Sequence, residues 1–380
     1  MTTQLCFDPL AIRSWLAERR AEELSLPVYV GLPGVAEHPG SDSDDPLVVR
    51  MALTIEGDHA TMDFNGSSGQ TRGAMNSVRA VTVSAAVVTM KCLYPHIPMN
   101  QGVFRAIDFR IPEGSVLWAN FPAPVSGCAA GVYPAVGDCV LKAFIQLIPD
   151  RSMAGPTGLL NIVMGGTDTR PGHEGHEFVM YLWLEGGWGG RPGRKDNAIA
   201  MTNFATTSTN QPVELQERVY PVRFDCYRIE PDSAGAGWHR GGPGITKRWA
   251  FPSSDVMLSD LGDGERFGPW GWAGGHDARP NRFVLAPGTD EEMSVGMFRT
   301  NLLVRAGRML DCFQPGGGGY GHPFARPLAY VLEDLEEGYV TPEGAARDYG
   351  VAVRVDAAGG VSIDSERTAV LRSNAPPPPR

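Results

Sequence analysis

The 380-residue chain carries 33 Lys and Arg against 43 Asp and Glu, a formal net charge of -10. Its acidic residues are dispersed, apart from Asp42-Asp44-Asp45 and Glu333-Asp334-Glu336-Glu337. No clustered basic surface is present to neutralise phosphates, which argues against a nucleic-acid partner. No apolar run approaches the roughly 20 residues that cross a bilayer, and the N-terminus lacks a charged stretch, apolar core and cleavage site. The expectation is a cytoplasmic protein with no membrane contact.

Two or three cores are expected at roughly 150 residues per domain. The six cysteines (Cys6, Cys92, Cys128, Cys139, Cys226 and Cys312) include no CxxC pair. They read as buried thiols, with neither a disulfide framework nor a zinc ribbon.

In chain order, Asp8 to Leu24 sets Leu10, Ile12, Trp15, Leu16 and Leu24 among charged neighbours behind an Asp8-Pro9 start, the pattern of one amphipathic helix. Pro33 to Pro46 is a Gly, Ser, Asp and Pro linker. Val48 to Glu56 and His59 to Phe64 are two strands joined by a Gly57-Asp58 turn. Asn76 to Leu93, uncharged over much of its length, reads as a buried helix, although its valines leave a strand open. From Val103 onward short apolar runs alternate with turn signals (Phe104 to Arg110, Phe178 to Leu184, Arg218 to Ile229, Arg248 to Phe251, Arg282 to Ala286), which predicts a β-rich body. Cys139 to Leu147 is a second helix candidate, and Leu328 to Glu337 with Pro342 to Asp348 forms a C-terminal helical pair. The fold class is α+β, with β-rich mixed or antiparallel sheets and a few helices. Residues 1–46 are expected as helix and linker, 47–150 as a hairpin-helix segment carrying the candidate site, 151–355 as the β-rich body, and 356–380 as a disordered tail.

The hairpin empties into Asp63-Phe64-Asn65-Gly66-Ser67-Ser68-Gly69-Gln70, followed by Arg72-Gly73 and Asn76. Polar side chains on a small-residue loop at a strand end suit ligand contact. On composition alone an ordinary turn cluster is the simpler account.

Other motifs favour structural readings. Gly237 to Gly244 is a turn between strands and lacks the spacing of a phosphate-binding loop. The Gly316-Gly317-Gly318-Gly319 run demands special backbone angles or a close approach, and subunit or domain contact is preferred over chemistry. Gly186 to Gly190 invites the same reading. His173 and His176 sit at an apparent hairpin tip without further ligands. Nothing near Cys128 would lower its pKa.

The Asp63 loop, the Ser84 to Leu93 segment, Ile97 to Arg105 and Pro112-Glu113-Gly114-Ser115 resemble the hydantoinase B/oxoprolinase family. Tyr220-Pro221-Val222-Arg223, Pro231 to Gly237, Arg240-Gly241-Gly242-Pro243-Gly244-Ile245, Gly316 to Gly321 and Arg347-Asp348-Tyr349-Gly350-Val351 follow in the same order as that family's C-terminal half. The resemblance covers about Val48 to Val353.

It implies a subunit of an ATP-dependent complex that opens a cyclic amide such as a hydantoin, oxoproline or lactam. Alternatives are a subunit of a ketone carboxylase of acetone or acetophenone type, and a noncatalytic assembly subunit. In such a complex an A-type partner binds ATP and Mg, phosphorylating an unreactive carbonyl or enolate to supply a leaving group. On this chain the resemblance implies Asp63 and Arg72 as catalytic, and Asn65, Ser67, Gln70, Asn76, Asn100 and Arg105 as substrate-binding, since amides and guanidiniums stabilise developing negative charge. The family's N-terminal half carries Gly-Gly-Thr-His and His-Ala-Asp blocks resembling a metal site, and this sequence has neither. A separate chain is therefore expected to supply that half, with any divalent metal bound there and none on this chain alone. His322 stands where the family has Asp.

Overall fold

The computed structural model describes residues 47–193, 199–200, 210–262, 264–296, 299–357 and 359–373, with the backbone of 23–30. The linker at Pro33 to Pro46, the proline run from Asn374, and all but the last two residues of the helix expected at Asp8 to Leu24 lie outside them. Those last two, Glu23 and Leu24, open strand β1. The chain forms two compact units that divide between Ile148 and Pro149.

The first unit is built on a four-stranded sheet in the order β1-β2-β3-β4: β1 Glu23–Val30, β2 Leu47–Glu56, β3 His59–Asp63 and β4 Ile107–Arg110. The expected hairpin joins β2 and β3, with Gly57 at φ 59, a left-handed angle that glycine adopts without a Cβ penalty. Alternation then sorts the faces. Val49, Met51, Leu53 and Ile55 of β2 and Ala60 and Met62 of β3 are buried, while Arg50, Glu56 and Asp63 turn the other way.

Helix α1, Arg79–Leu93, buries Thr82, Ala86, Thr89, Met90 and Leu93, a stripe at helical spacing that settles the helix-or-strand ambiguity. Lys91 donates to the carbonyls of Pro95 and Ile97 just past its end. Helix α2, Val132–Leu147, starts earlier than the apolar run suggested and is buried on most sides. Its Cys139 packs on β2, with Sγ 3.5 Å from the Val49 carbonyl. Burial of each large aliphatic side chain in this layer is worth about 1.5–3 kcal/mol.

The second unit is a sandwich of a four-stranded sheet (β14-β11-β5-β6) and a five-stranded one (β13-β12-β15-β10-β9). The first comprises β5 Leu160–Thr167, β6 Glu177–Leu184, β11 Val256–Gly262 and β14 Leu302–Val304. The second comprises β9 Arg223–Glu230, β10 Gly244–Ala250, β12 Arg282–Leu285, β13 Met293–Ser294 and β15 Met309–Gln314. Leu160, Ile162, Met164, Met180 and Leu258 from one sheet meet Trp249, Phe283, Leu310 and Cys312 from the other in one core. Every pairing within both sheets is antiparallel. Helices α4 (Leu328–Glu336) and α5 (Pro342–Tyr349), both expected, close a smaller core around Val331, Ala345, Tyr349 and Val351. The architecture is mixed α+β, as the sequence indicated.

Two readings need correction. Arg218 to Ile229 is not one strand: helix α3, Val213–Val219, ends at Tyr220-Pro221, where proline cannot continue it, and β9 begins at Arg223. Residues 356–373 are not a tail. They hold strand β17 (Val361–Ile363), paired with β16 (Val353–Val355), and helix α6 (Ser365–Ser373), whose entry is capped where Asp364 Oδ1 accepts from the Arg367 amide at 3.1 Å.

The glycine runs form a backbone layer inside the second unit. Gly317 donates to the Gly242 carbonyl (2.9 Å), Gly235 to Gly317 (2.8 Å), Gly190 to Gly318 (2.7 Å) and Gly319 to His276 (2.9 Å). A Cβ on Gly317 would stand 2.0 Å from the Trp188 oxygen, and one on Gly187 would stand 1.9 Å from the Gly242 oxygen. Only glycine admits such an approach. Contact does explain these runs, but it is contact between segments of a single unit.

Candidate functional site

Strand β3 delivers Asp63 to the loop, where its Oδ1 accepts from the Asn65 amide at 2.9 Å and Gly66 turns the chain at φ 84. The serines are occupied in tying this loop down. Ser67 Oγ accepts from Arg50 N at 3.0 Å and lies 2.9 Å from the Phe64 carbonyl, and Ser68 Oγ accepts from Val48 N at 2.8 Å. A hydroxyl has one proton to give, so Ser67 is a loop tether and not the substrate ligand expected. Asn76 likewise departs from expectation: it is fully buried, and its carboxamide is bonded to backbone throughout. Asp63, Asn65, Gln70 and Arg72 remain on the accessible side, with the last three exposed.

Asn100 and Arg105 do not join them. β4 runs parallel to β3 with Ala60 opposite Ile107 and Asp63 opposite Arg110. Arg105 closes a short 3-10 turn, Val103–Arg105, ahead of β4, and the strand from Ile107 to Arg110 alone spans about 10 Å before reaching Asp63's partner. Asn100 Oδ1 instead accepts from Gly102 N at 2.8 Å and shapes the turn before it.

The group that does reach Asp63 is Arg110, whose Nη1 lies 3.8 Å from Oδ2. Arg110 also borders a cleft of about 610 Å³ lined by Arg79, Val83, Gln101, Phe104, Phe109 and Asp108, among others. Arg79, at the start of α1, stacks over the Trp118 ring at 5.7 Å. Two guanidiniums and a carboxamide are donors for a carbonyl or oxyanion, and the phenylalanines and Val83 offer an apolar wall, which together suit a small polar ring bearing a side chain. Sequence reasoning missed Arg79, Gln101 and Arg110. Arg110 is placed by a parallel strand pairing that carries no local signal.

In the second unit two adjoining clefts, of about 880 and 600 Å³, share Arg228, Glu230 and Arg279. Four of their five guanidiniums are already engaged: Arg228 with Glu230 (3.1 Å), Arg248 with Asp311 (2.5 Å) and Arg347 with Asp348 (2.6 Å), while Arg279 stacks on Phe313 at 4.6 Å. Lys247 and Glu185, both buried, pair at 2.9 Å beside Tyr227, whose hydroxyl bonds Glu185 and Asn210. Burial, then the Glu185 carboxylate, push the Tyr227 phenol far up, so it stays protonated.

The Arg240 of the glycine-rich loop is buried and shares Asp334 with Arg326, at 3.1 and 2.8 Å. This loop is therefore a structural pin, in line with the turn expected. His173 and His176 are exposed, with ring centroids 6.3 Å apart. Among the described residues no three His, Cys, Asp or Glu side chains converge as metal ligands. Burial raises the Cys128 thiol, so it is not a poised thiolate. No helix of the described residues is long and apolar enough to cross a membrane.

This frame has relatives. The Hydantoinase B/oxoprolinase family matches residues 10–323, and the chain belongs to that family. It is 30% identical over 345 residues to the B-type subunit of a putative D-/L-hydantoinase from a Pseudomonas species, a match covering 87% of this chain and 56% of that one. The crystal structure of the ATP-dependent caprolactamase from Pseudomonas jessenii superposes with TM-score 0.78 at 25% identity, over 96% of this chain and 62% of its own. The nucleotide-free acetone carboxylase also gives 0.78, over 97% and 54%, but at 19% identity it speaks to the fold alone. The chain thus spans about half the length of the curated relatives it matches.

Proposed function

We propose that this chain is the part of a B-type subunit that forms one side of the substrate site in an ATP-dependent, multi-subunit enzyme opening a cyclic amide. The observation that carries the reading is the cleft bordered by Arg110, whose guanidinium lies 3.8 Å from the Asp63 carboxylate and whose lining sets the donors Arg79 and Gln101 among apolar Val83, Phe104 and Phe109. It stands in a chain similar to a hydantoinase subunit and to a caprolactamase.

In this reading Asp63 acts as base or orienter for the attacking water, and Arg72 and Arg110 hold the oxyanion that develops as the ring carbonyl is activated. Asn65 and Gln70 donate to the ring's remaining polar atoms. ATP and Mg sit on an A-type partner, and any divalent metal sits on residues supplied by another chain. The complex works in the cytoplasm.

The test is the complex recovered through a tag on this chain. ATP-dependent opening of hydantoin or a lactam should fall steeply in Asp63→Ala and Arg72→Ala at unchanged subunit composition. Unchanged turnover per complex would return the loop to a packing role. Bicarbonate-dependent ATP hydrolysis with an aromatic ketone, and none with a cyclic amide, would instead assign a carboxylase.

A further inference from the structure

Asn76 is fully buried, yet its hydrogen bonds go to the turn that carries Arg72 and to the loop at Pro124. Its Oδ1 accepts from Thr71 N at 2.7 Å. Its Nδ2 lies 2.9 Å from the Thr71 carbonyl, 2.9 Å from the Gly73 carbonyl and 3.0 Å from the Pro124 carbonyl. The first three contacts enclose Arg72 from both sides, and the fourth reaches a different loop. A second side chain bridges the same pair: Gln70 Oε1 accepts from Asn120 N at 2.7 Å. Backbone bonds from Ala119 N to Ser77 O (2.9 Å) and from Gly127 N to Ala74 O (2.8 Å) run alongside. The tip of the second loop is Phe121, whose side chain is 98% exposed.

We propose that Asn76, assisted by Gln70, is a positioning residue: it locks the turn at 70–73 and the loop at 119–125 into one rigid body, so that Arg72 is held in place for the substrate. The inference rests on the site reading given above. The chemistry is specific to a carboxamide, because its two N–H protons are shared among three carbonyls while its oxygen serves the Thr71 amide. An aspartate preserves the acceptor and sets a carboxylate against three carbonyl oxygens. Alanine removes this partner from the Thr71 amide and from the Thr71 and Pro124 carbonyls, while the Gly73 carbonyl keeps the Thr71 hydroxyl at 3.2 Å.

The experiment combines amide hydrogen exchange on the chain with steady-state kinetics of the assembled complex for Asn76→Asp, Asn76→Ala, Gln70→Leu and Arg72→Ala. Exchange in Asn76→Asp is expected to rise in 71–77 and 119–125 together, with α1 and the β2–β3 hairpin unchanged. Displacement of a substrate-contacting group by about 1 Å lowers kcat/KM on the order of 10- to 100-fold, and because Arg72 holds charge that develops in the transition state, the loss falls mainly on kcat. Because burial among carbonyls favours the protonated acid, the Asn76→Asp defect shrinks on acidification from about pH 8 to about pH 5.5, whereas the Asn76→Ala defect does not. Should Asn76 variants unfold, Gln70→Leu, at an exposed position, carries the test through exchange at 119–123 alone. Exchange confined to 71–77 would overturn the coupling. Unchanged kinetics in Asn76→Asp beside a large loss in Arg72→Ala would overturn the positioning role, and unchanged kinetics in both would overturn the site reading itself.

Discussion

Arg110 Nη1 stands 3.8 Å from Asp63 Oδ2 across the parallel pair β3 and β4, where the two residues are direct neighbours. Their side chains are 65% and 26% exposed, so the pair contributes only about 0.2–1 kcal/mol to stability. Its consequence is geometric: the Asn65 amide holds Asp63 Oδ1 at 2.9 Å, and Arg110 sets a positive charge beside Oδ2. Arg110→Met should leave the thermal midpoint nearly unchanged and lower turnover of the assembled complex by about tenfold or more, the scale of a misplaced general base. Calorimetry beside a turnover assay separates the two effects.

Asp334 accepts from both Arg240 and Arg326, and all three side chains are at most 4% exposed. Removing the carboxylate strands two buried guanidiniums. Asp334→Asn should cost about 3–5 kcal/mol, read as a lowered urea midpoint.

Glycine substitutions should divide sharply. Gly317→Ala drives a Cβ to 2.0 Å from the Trp188 carbonyl oxygen, backbone that cannot move aside, and should abolish soluble expression. Gly69→Ala meets nothing within 4 Å and should stay within about 0.5 kcal/mol of wild type. Soluble yield decides for Gly317→Ala and a thermal melt for Gly69→Ala.

Asp168 is held below the usual carboxylate range chiefly by its bonds to Arg170, which in turn donates to the Glu217 and Val219 carbonyls at the end of α3. Its folded pKa is depressed, so its contribution is fully present above the unfolded value of about 3.9 and is lost as pH falls through the folded value. Asp168→Asn should therefore be less stable than wild type near neutrality, and the gap should close on acidification. Urea denaturation of both proteins across that range measures it.

The elements that were legible in the sequence are those with local patterns: the β2–β3 hairpin, the stripe of α1, and the C-terminal helices with their proline and glycine punctuation. The site was only half legible. Asn65 and Asn76 are the same letter in one polar stretch, but one faces water and the other is sealed under backbone, a difference set by the loop at 119–125 far along the chain. Arg110 enters through a parallel pairing separated from β3 by a whole helix. The glycine layer left no trace of its partners, because a residue without a side chain carries no pattern of what packs against it.

The most direct test of the central claim is ATP consumption by the complex recovered through a tag on this chain, measured with and without a cyclic amide. The account expects ATP hydrolysis that rises with hydantoin or lactam, yields the ring-opened acid and is lost in Asp63→Ala. Recovery of this chain alone, or ATP turnover indifferent to every cyclic amide, would contradict it.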